Sequence, residues 1–335
     1  MPDTGKERVV AELAERFAAP PAFVRAYVDQ QGIKDRSIES GEEWLNSFPE
    51  LNRFYINYAL SSNARAAGVF ENFRQATGQS GGRHLDVGCG YGGTLRAFAE
   101  AGYECLGVES HPTLAEYSQA NGSDFSIPIL NRNFLEIDID KLGLFDAITC
   151  NEVIEHVSDA PAAINRLVSL LKPGGTLMMS IPNKDFIDFV AKDGHFQLFG
   201  ITLLSRQESK KLKELLTGAP DDFEHMGESY PLEFYVNSLR ALGLSVRRND
   251  THALVADRQV VADLLRDLLS KYADYTSKNL SVLTDHLVHK AFATYCTELF
   301  RELERAVALN DWEPFKTRYL TSFWCLYGSK KVYPL

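Results

Sequence analysis

An aspartate, a run of glycines and a glutamate stand at spacings that could hold a small charged ligand. In "RHLDVGCGYGGTLRAFAEAGYECLGVES", residues 83–110, Asp86 lies two places before Gly88, and Glu109 follows 109 − 86 = 23 positions later. The stretch reads as strand, glycine turn, helix, strand. Such a turn presents backbone N–H groups at a helix N-terminus to a phosphate-like or nucleotide-like group. A dinucleotide and S-adenosylmethionine (SAM) both suit it, and Asp86 separates them. A dinucleotide would lay its pyrophosphate against this turn, where a carboxylate repels it. SAM has no phosphate, and its ammonium and cationic sulfur are attracted instead. Glu109, an acid at the next strand end, can accept both ribose hydroxyls of either ligand and does not discriminate. Taken singly, Asp86 reads as a cap or turn acid and Glu109 as an exposed strand end; with the turn between them, ligand binding is the better account.

A second set of residues could act on an acceptor. If the ligand is SAM, the chemistry it offers is transfer of its methyl group, an in-line displacement at carbon, and a protein has mainly to align the nucleophile and exclude water. An amine acceptor needs only to be neutral, whereas an alcohol or phenol gains from a base. His156, His195 and His225 are the candidate bases, with Tyr230 as an orienting group. Each histidine also has the plainer reading of a hydrogen-bonded packing residue. In "NEVIEHV", Glu152 and Glu155 are spaced i, i+3 and His156 follows, so on a helical turn the three could share a face. Two carboxylates plus imidazole suit magnesium, manganese or zinc. The preferred reading has no metal, with Glu155 and His156 capping and packing the loop.

The elements that must position these residues follow from periodicity. Residues 1–78 read as a helical segment: "KERVVAELAERFAA" puts Val9, Leu13 and Phe17 on one face, and "PPAFVRAYVDQQG" opens with proline and closes with glycine. "NSFPELNRFYINYAL" is aromatic-rich and either packs on the sheet or closes over a site. From His84 short apolar runs alternate with helical stretches, the sign of a parallel sheet buried on both faces. "HLDVG", "ECLGVES", "IPILNRN", "FDAITCN" and "TLMMSIP" are the strands; residues 92–101, 112–120 and 160–171 are the helices, with "LKPGG" turning the chain into the fifth strand. An aromatic-rich insert over 185–229 interrupts the alternation. Its Phe186, Phe189, Phe196 and Phe199 suit a water-excluding lid and a packed core equally. "PLEFYVNSLRALG" and "LSVRRND" then read as helix and strand, and residues 255–318 as helical, with an apolar stripe of Leu264, Leu265, Leu268 and Leu269. "YLTSFWCLYGSKK" returns to the sheet as its final strand.

Bulk properties narrow the partners. The 335 residues are 45% hydrophobic and carry 45 acidic against 35 basic side chains, a net charge of −10. A nucleic-acid binder would show the opposite balance or a basic stripe, and Lys210, Lys211, Lys213 and Arg247, Arg248 are too short to form one. No apolar run approaches a membrane span. Cys89, Cys105, Cys150, Cys296 and Cys325 show no C-x-x-C pairing, and "MPDTGKERVV" lacks a secretory apolar region. A cytoplasmic protein with reduced thiols is expected.

The motifs "LDVGCGYGG", "GVES", "FDAITCNEVIEHV" and "LLKPGGTLMMSIPN", in that order from Arg83 to Asn183, resemble the class I SAM-dependent methyltransferase family. Within it they are similar to the branch containing ubiquinone-biosynthesis O-methyltransferases and many small-molecule and glycan methyltransferases. The resemblance implies a Rossmann-like α/β fold with a seven-stranded, mostly parallel sheet, its last strand antiparallel, and helices on both faces. It implies that Gly88 and Gly90 line the methionine moiety, that Asp86 supports the amino group, and that Glu109 holds the ribose, with Cys89 and Ser110 in the same two stretches. Asn133 stands where the family usually has an aspartate facing the adenine amino group; an amide oxygen can accept the same bond. Phe134 would flank the adenine, and Asn151 would lie near the methyl-bearing sulfur. The E-x-x-E-H arrangement resembles the metal-binding motif of small-RNA 2′-O-methyltransferases, with His195 or His225 completing the shell.

The expectation is therefore one SAM-dependent methyltransferase domain over 79–335, with the 185–229 and 255–318 inserts building an acceptor pocket or a homodimer contact. The acceptor is a small polar or glycan-type molecule methylated at oxygen. Methylation at nitrogen or carbon of a natural-product intermediate, or a SAM-binding subunit without activity, are the alternatives, with an NAD enzyme as a remote third.

Overall fold

The computed structural model describes residues 4–33, 38–218, 226–250, 253–278 and 281–332. Five helices come first: α1 (Thr4–Phe17), α2 (Pro21–Gln31), α3 (Gly41–Asn46), α4 (Glu50–Leu60) and α5 (Ser62–Thr77). The alternating part is β1 (Gly82–Val87), α6 (Gly93–Glu100), β2 (Tyr103–Glu109), α7 (Pro112–Asn121), β3 (Ile129–Asn131), β4 (Phe145–Asn151), α8 (Ala160–Ser169) and β5 (Leu171–Pro182). There follow α9 (Ile187–Ala191), α10 (Arg206–Thr217), α11 (Leu232–Ala241), β6 (Leu244–Arg248), α12 (Arg258–Ser277), α13 (Val282–Leu309), α14 (Glu313–Phe315) and β7 (Phe323–Lys330).

The seven strands form one sheet in the order β3-β2-β1-β4-β5-β7-β6, a Rossmann-like α/β arrangement. β1 pairs parallel with both β2 and β4, and β2 with β3. The closing segment enters the sheet as expected, between β5 and β6. β5 begins at Leu171, earlier than the proline and glycines of "LKPGG" suggest. There the backbone of Gly175 runs so close to the Phe145 carbonyl that a Cβ would sit 2.9 Å from it. α8 accordingly stops at Ser169, two residues short of the expected end.

The chain divides into two compact units. One comprises residues 1–151, 166–178 and 329–335, the other 152–165 and 179–328. In the first, Val9 and Leu13 are fully buried and gather with Phe23, Trp44 and Leu60 into a core that also takes in Tyr117 of α7. Gly93 at the start of α6 lets α5 approach, since a Cβ there would lie 2.6 Å from the Ser62 carbonyl oxygen. The helices before β1 are thus packed on the same α6 and α7 that follow the glycine turn.

In the second unit α9, α12 and α13 enclose a core of Ile187, Val190, Phe199, Leu268, Val288 and Phe292. Phe199 is a member of this core and Phe196 packs against it, so those two rings follow the packing alternative. Of the expected leucine stripe, Leu268 is buried and Leu264 and Leu265 border it, while Leu269 is 47% exposed. Leu269 falls about 100° round the helix from Leu268, which takes it off the core face. Among the described residues no helix is long and apolar enough to cross a membrane, and all five cysteines are unpaired.

Candidate functional site

The carboxyl ends of β1 and β2 bring the two acids together. Successive residues of a strand alternate between faces, so His84 and Asp86 share one face of β1. Asp86 stands level with Gly107 on β2 and with Thr149 on β4. Its side chain is only 4% exposed and accepts a 2.6 Å hydrogen bond from the Thr149 hydroxyl. Burial, assisted by the nearby Glu109 charge and opposed by the Thr149 bond, raises its carboxyl to about 7. Glu109 is buried too, and each of its oxygens accepts one backbone N–H at 2.9 Å, from Gly90 and from His111. A carboxylate oxygen has a second lone pair, so both remain able to accept a hydroxyl.

Between these acids runs the glycine turn. Gly88 and Gly90 have φ of 71° and 51°, values open to glycine at little cost. No atom lies within 4 Å of where a Cβ on Gly90 would stand. That is a cradle over exposed backbone, and it fits the cofactor the resemblance implies. Cys89 instead sends its thiol into the core, 3.3 Å from the Ser118 hydroxyl, where burial pushes its pKa up; its backbone is the part that belongs to the turn. Tyr91 is tied to the helices on either side of the turn, because Asn121 donates to its carbonyl and exchanges amide hydrogen bonds with Asn63.

The other expected cofactor residues lie along the same strand ends. Ser110, just past β2, accepts from Asn131 through its carbonyl. Asn133 caps a short 3₁₀ turn, its amide oxygen accepting from Leu135 N–H at 3.1 Å, so that oxygen has one lone pair left for another donor. Phe134 is buried, with the Arg166 guanidinium 5.5 Å from its ring centre. Asn151 is the last residue of β4.

The second unit assembles a different cluster. Glu155 and His156 lie on the 3₁₀ turn Ile154–His156, and the ligand-capable atoms of Glu155, His156 and His195 are all within 4.8 Å of one another. The two imidazoles stand edge to face, 5.0 Å apart. Glu155 is buried, its Oε2 has no hydrogen-bond partner, and burial raises its carboxyl to about 8. Glu152 does not share this face as the i, i+3 spacing suggests. It precedes the turn with φ 57°, outside helical geometry, and its side chain is exposed. Burial lowers the His195 pKa, against the pull of Asp193. Tyr230 stacks on Phe234 at 3.8 Å, and burial pushes its hydroxyl pKa up. His225 lies outside the described residues.

Four contributors escaped the sequence reading. Thr149 and His84 are marked only by strand period, which aligns them with Asp86. Asp193 is 3% exposed and its carboxylate accepts from the backbone N–H groups of His195, Phe196 and Leu198, the local turn chemistry favoured by Asp-Gly. Gly227 donates to the Glu155 carbonyl, and a Cβ there would lie 2.3 Å from the Val157 carbonyl oxygen.

A family model described as a methyltransferase domain matches residues 60–249, more than half the chain. The chain belongs to the methyltransferase-domain family. It is 38% identical over 106 residues to a ubiquinone biosynthesis O-methyltransferase of Xanthomonas campestris pv. campestris, covering 31% of this chain and 44% of that one. A protein of the same name from Xanthomonas oryzae pv. oryzae is 36% identical over 107 residues, 31% of this chain and 45% of its own. The chain thus spans less than half the length of the curated relatives it matches. Similar solved structures include a SAM-dependent methyltransferase from Archaeoglobus fulgidus, at TM-score 0.43 and 12% identity over 81% of this chain and 95% of that one. Another is phosphoethanolamine N-methyltransferase 2 of Haemonchus contortus, at TM-score 0.41 and 14% identity over 78% and 53%.

Replacing Asp193 by Ala leaves three N–H groups of the His195 loop without their acceptor. Lost bonds to a charged group of this kind cost about 1.5–3 kcal/mol. Urea denaturation should register that loss, and hydrogen exchange should show faster exchange at His195, Phe196 and Leu198.

Proposed function

We propose that the protein is a SAM-dependent methyltransferase acting at an oxygen of a small polar or glycan-type acceptor. The observation that carries the reading is the pair of buried acids, Asp86 and Glu109, at the rim of an open glycine turn. A pyrophosphate there would meet two carboxylates, whereas the charge of an ammonium would favour loss of the Asp86 proton to solvent and pair with the carboxylate left behind. Bound SAM supplies an electrophilic methyl carbon whose leaving group is a neutral thioether. The chain's own residues then bind and orient: Asp86 accepts from the amino group, Glu109 from the ribose hydroxyls, and Asn133, Phe134 and Asn151 border the remainder. Ser110 and the Cys89 backbone complete that wall.

For the acceptor, burial keeps His195 neutral at physiological pH, the state in which an imidazole can take a hydroxyl proton. His156, whose ring stands 5.0 Å from that of His195, is the second candidate base, Tyr230 the orienting group, and His225 stays a candidate on sequence. A cytoplasmic setting belongs to the same reading and suits five unpaired cysteines. The acidic balance of −10 speaks for a small-molecule acceptor rather than nucleic acid.

Incubation with methyl-labelled SAM and a small-molecule extract tests the proposal. One compound should gain label on oxygen, and His195→Ala should lower kcat by roughly 10²–10⁴-fold, the usual contribution of a general base. Label on nitrogen or carbon with His195 dispensable would favour the alternative chemistry. SAM binding with no labelled product would favour a non-catalytic subunit.

A second reading of the acceptor side is favoured by the unpartnered Glu155 Oε2. Glu155, His156 and His195 would hold a divalent cation, and one carboxylate with two imidazoles suits zinc or manganese. Such an ion polarises an acceptor hydroxyl, and an imidazole that holds it is not the base. Equilibrium dialysis with Mn²⁺ or Zn²⁺ should give one bound ion per chain, lost in Glu155→Gln; no binding by the wild type removes this reading.

A further inference from the structure

We infer that His84, Thr149 and Asp86 form a buried hydrogen-bond chain that favours the ionised Asp86 carboxylate and fixes it in place, which makes His84 and Thr149 positioning residues for cofactor binding. The inference rests on the SAM reading given above.

The chain follows from strand register. His84 and Asp86 are two residues apart on β1, and Thr149 on β4 is level with Asp86. The Thr149 hydroxyl lies 2.6 Å from Asp86 Oδ1 and 2.8 Å from His84 Nε2. A hydroxyl has one hydrogen to donate. If Thr149 gives it to Asp86, His84 Nε2 must carry a proton and donate to Thr149. Every hydrogen in the chain then points toward Asp86, the direction that stabilises a carboxylate.

The surroundings of His84 hold it in that form. The imidazole is fully buried, stacked on Phe98 at 3.7 Å and 12°, with the Tyr103 ring edge-on at 6.4 Å. Nδ1 has no hydrogen-bond partner. A proton there would be a buried unpaired donor, costlier than a bare lone pair, so the Nε2–H tautomer is selected. Burial also pushes the imidazole pKa down to about 3, which keeps it neutral. Reversing the chain, with Asp86 protonated and donating to Thr149, would require the rejected tautomer.

The titratable groups around Asp86 supply no positive charge to do the same work. Glu109 on β2 raises its pKa, and the thiols of Cys89 in the turn and Cys105 on β2 are themselves pushed up, by burial first and then by the Asp86 charge. α6 contributes the neutral Phe98 ring. Until the cofactor's ammonium arrives, the Thr149 donor is the interaction that opposes desolvation.

The test measures S-adenosylhomocysteine binding to the full chain by calorimetry from pH 5.5 to 8.5. Wild-type affinity should fall as pH drops through about 7, where Asp86 takes up a proton. In Thr149→Val the midpoint should move up and affinity at pH 7 should fall about tenfold, the scale of one hydrogen bond to a charged group. Thr149→Ser should restore both, while His84→Phe, which preserves the ring stack, should shift the midpoint in the same direction by less. Nitrogen-15 NMR of wild-type protein should show His84 as the neutral Nε2–H tautomer without titration between pH 5 and 8. An unchanged midpoint in Thr149→Val, or an Nδ1–H or charged His84, overturns the inference. Failure of the wild type to bind at any pH counts against the SAM reading instead, and the NMR result still decides the tautomer.

Discussion

Two carboxylates are buried side by side where strands end, and the first unit is arranged around the cost of keeping them there. An isolated ionised carboxylate cannot be taken out of water without a partner. Glu109 meets this with two backbone N–H donors, one from the glycine turn and one from the start of α7. Among the described residues Asp86 has one hydrogen-bond donor, Thr149, and burial raises its pKa toward neutrality against that bond. That difference assigns them different work. Glu109 organises the turn through its two N–H donors, whereas Asp86 in the proposed reading awaits a cation.

The constraint reaches into the packing. Gly107 sits level with Asp86 on β2, where a Cβ would come within 3 Å of the side-chain ends of Ile129, Leu95 and Cys89, so a larger residue there would have to push all three aside. Gly92 is pressed against Ser118 of α7 and Gly93 against Ser62 of α5. The turn therefore has α5 and α7 as walls; its Gly90 N–H is held by Glu109, and its Gly88 and Cys89 N–H groups by the Val108 carbonyl. A loop tied at so many points binds with little ordering cost, the general advantage of preorganisation.

Much of this was legible in the chain itself. Alternating apolar runs foretold the strands, and the closing aromatic segment entered the sheet where its β-rich composition pointed. What sequence could not show was which lone pairs were already used. Asn133 looks like an adenine contact, yet its amide oxygen already accepts from the turn that follows it. Glu152 appears by spacing to join Glu155 and His156, but a left-handed backbone at Glu152 breaks the helical geometry that spacing assumes. The α10 helix carries a Ser205–Glu208 capping box that is readable in sequence, although the aromatic insert around it drew the reading elsewhere. The family resemblance already suggests His195 or His225 as the partner of Glu155 and His156, and the ligand-capable atoms of Glu155, His156 and His195 do lie within 4.8 Å of one another; periodicity alone could not bring together residues so far apart in the chain.

Calorimetric titration of the same preparation with SAM and with NAD tests the central electrostatic claim most directly. Saturable heat with SAM at pH 8, weakening toward pH 6, and none with NAD is the result this account requires. Tight binding of NAD with no response to SAM would contradict it.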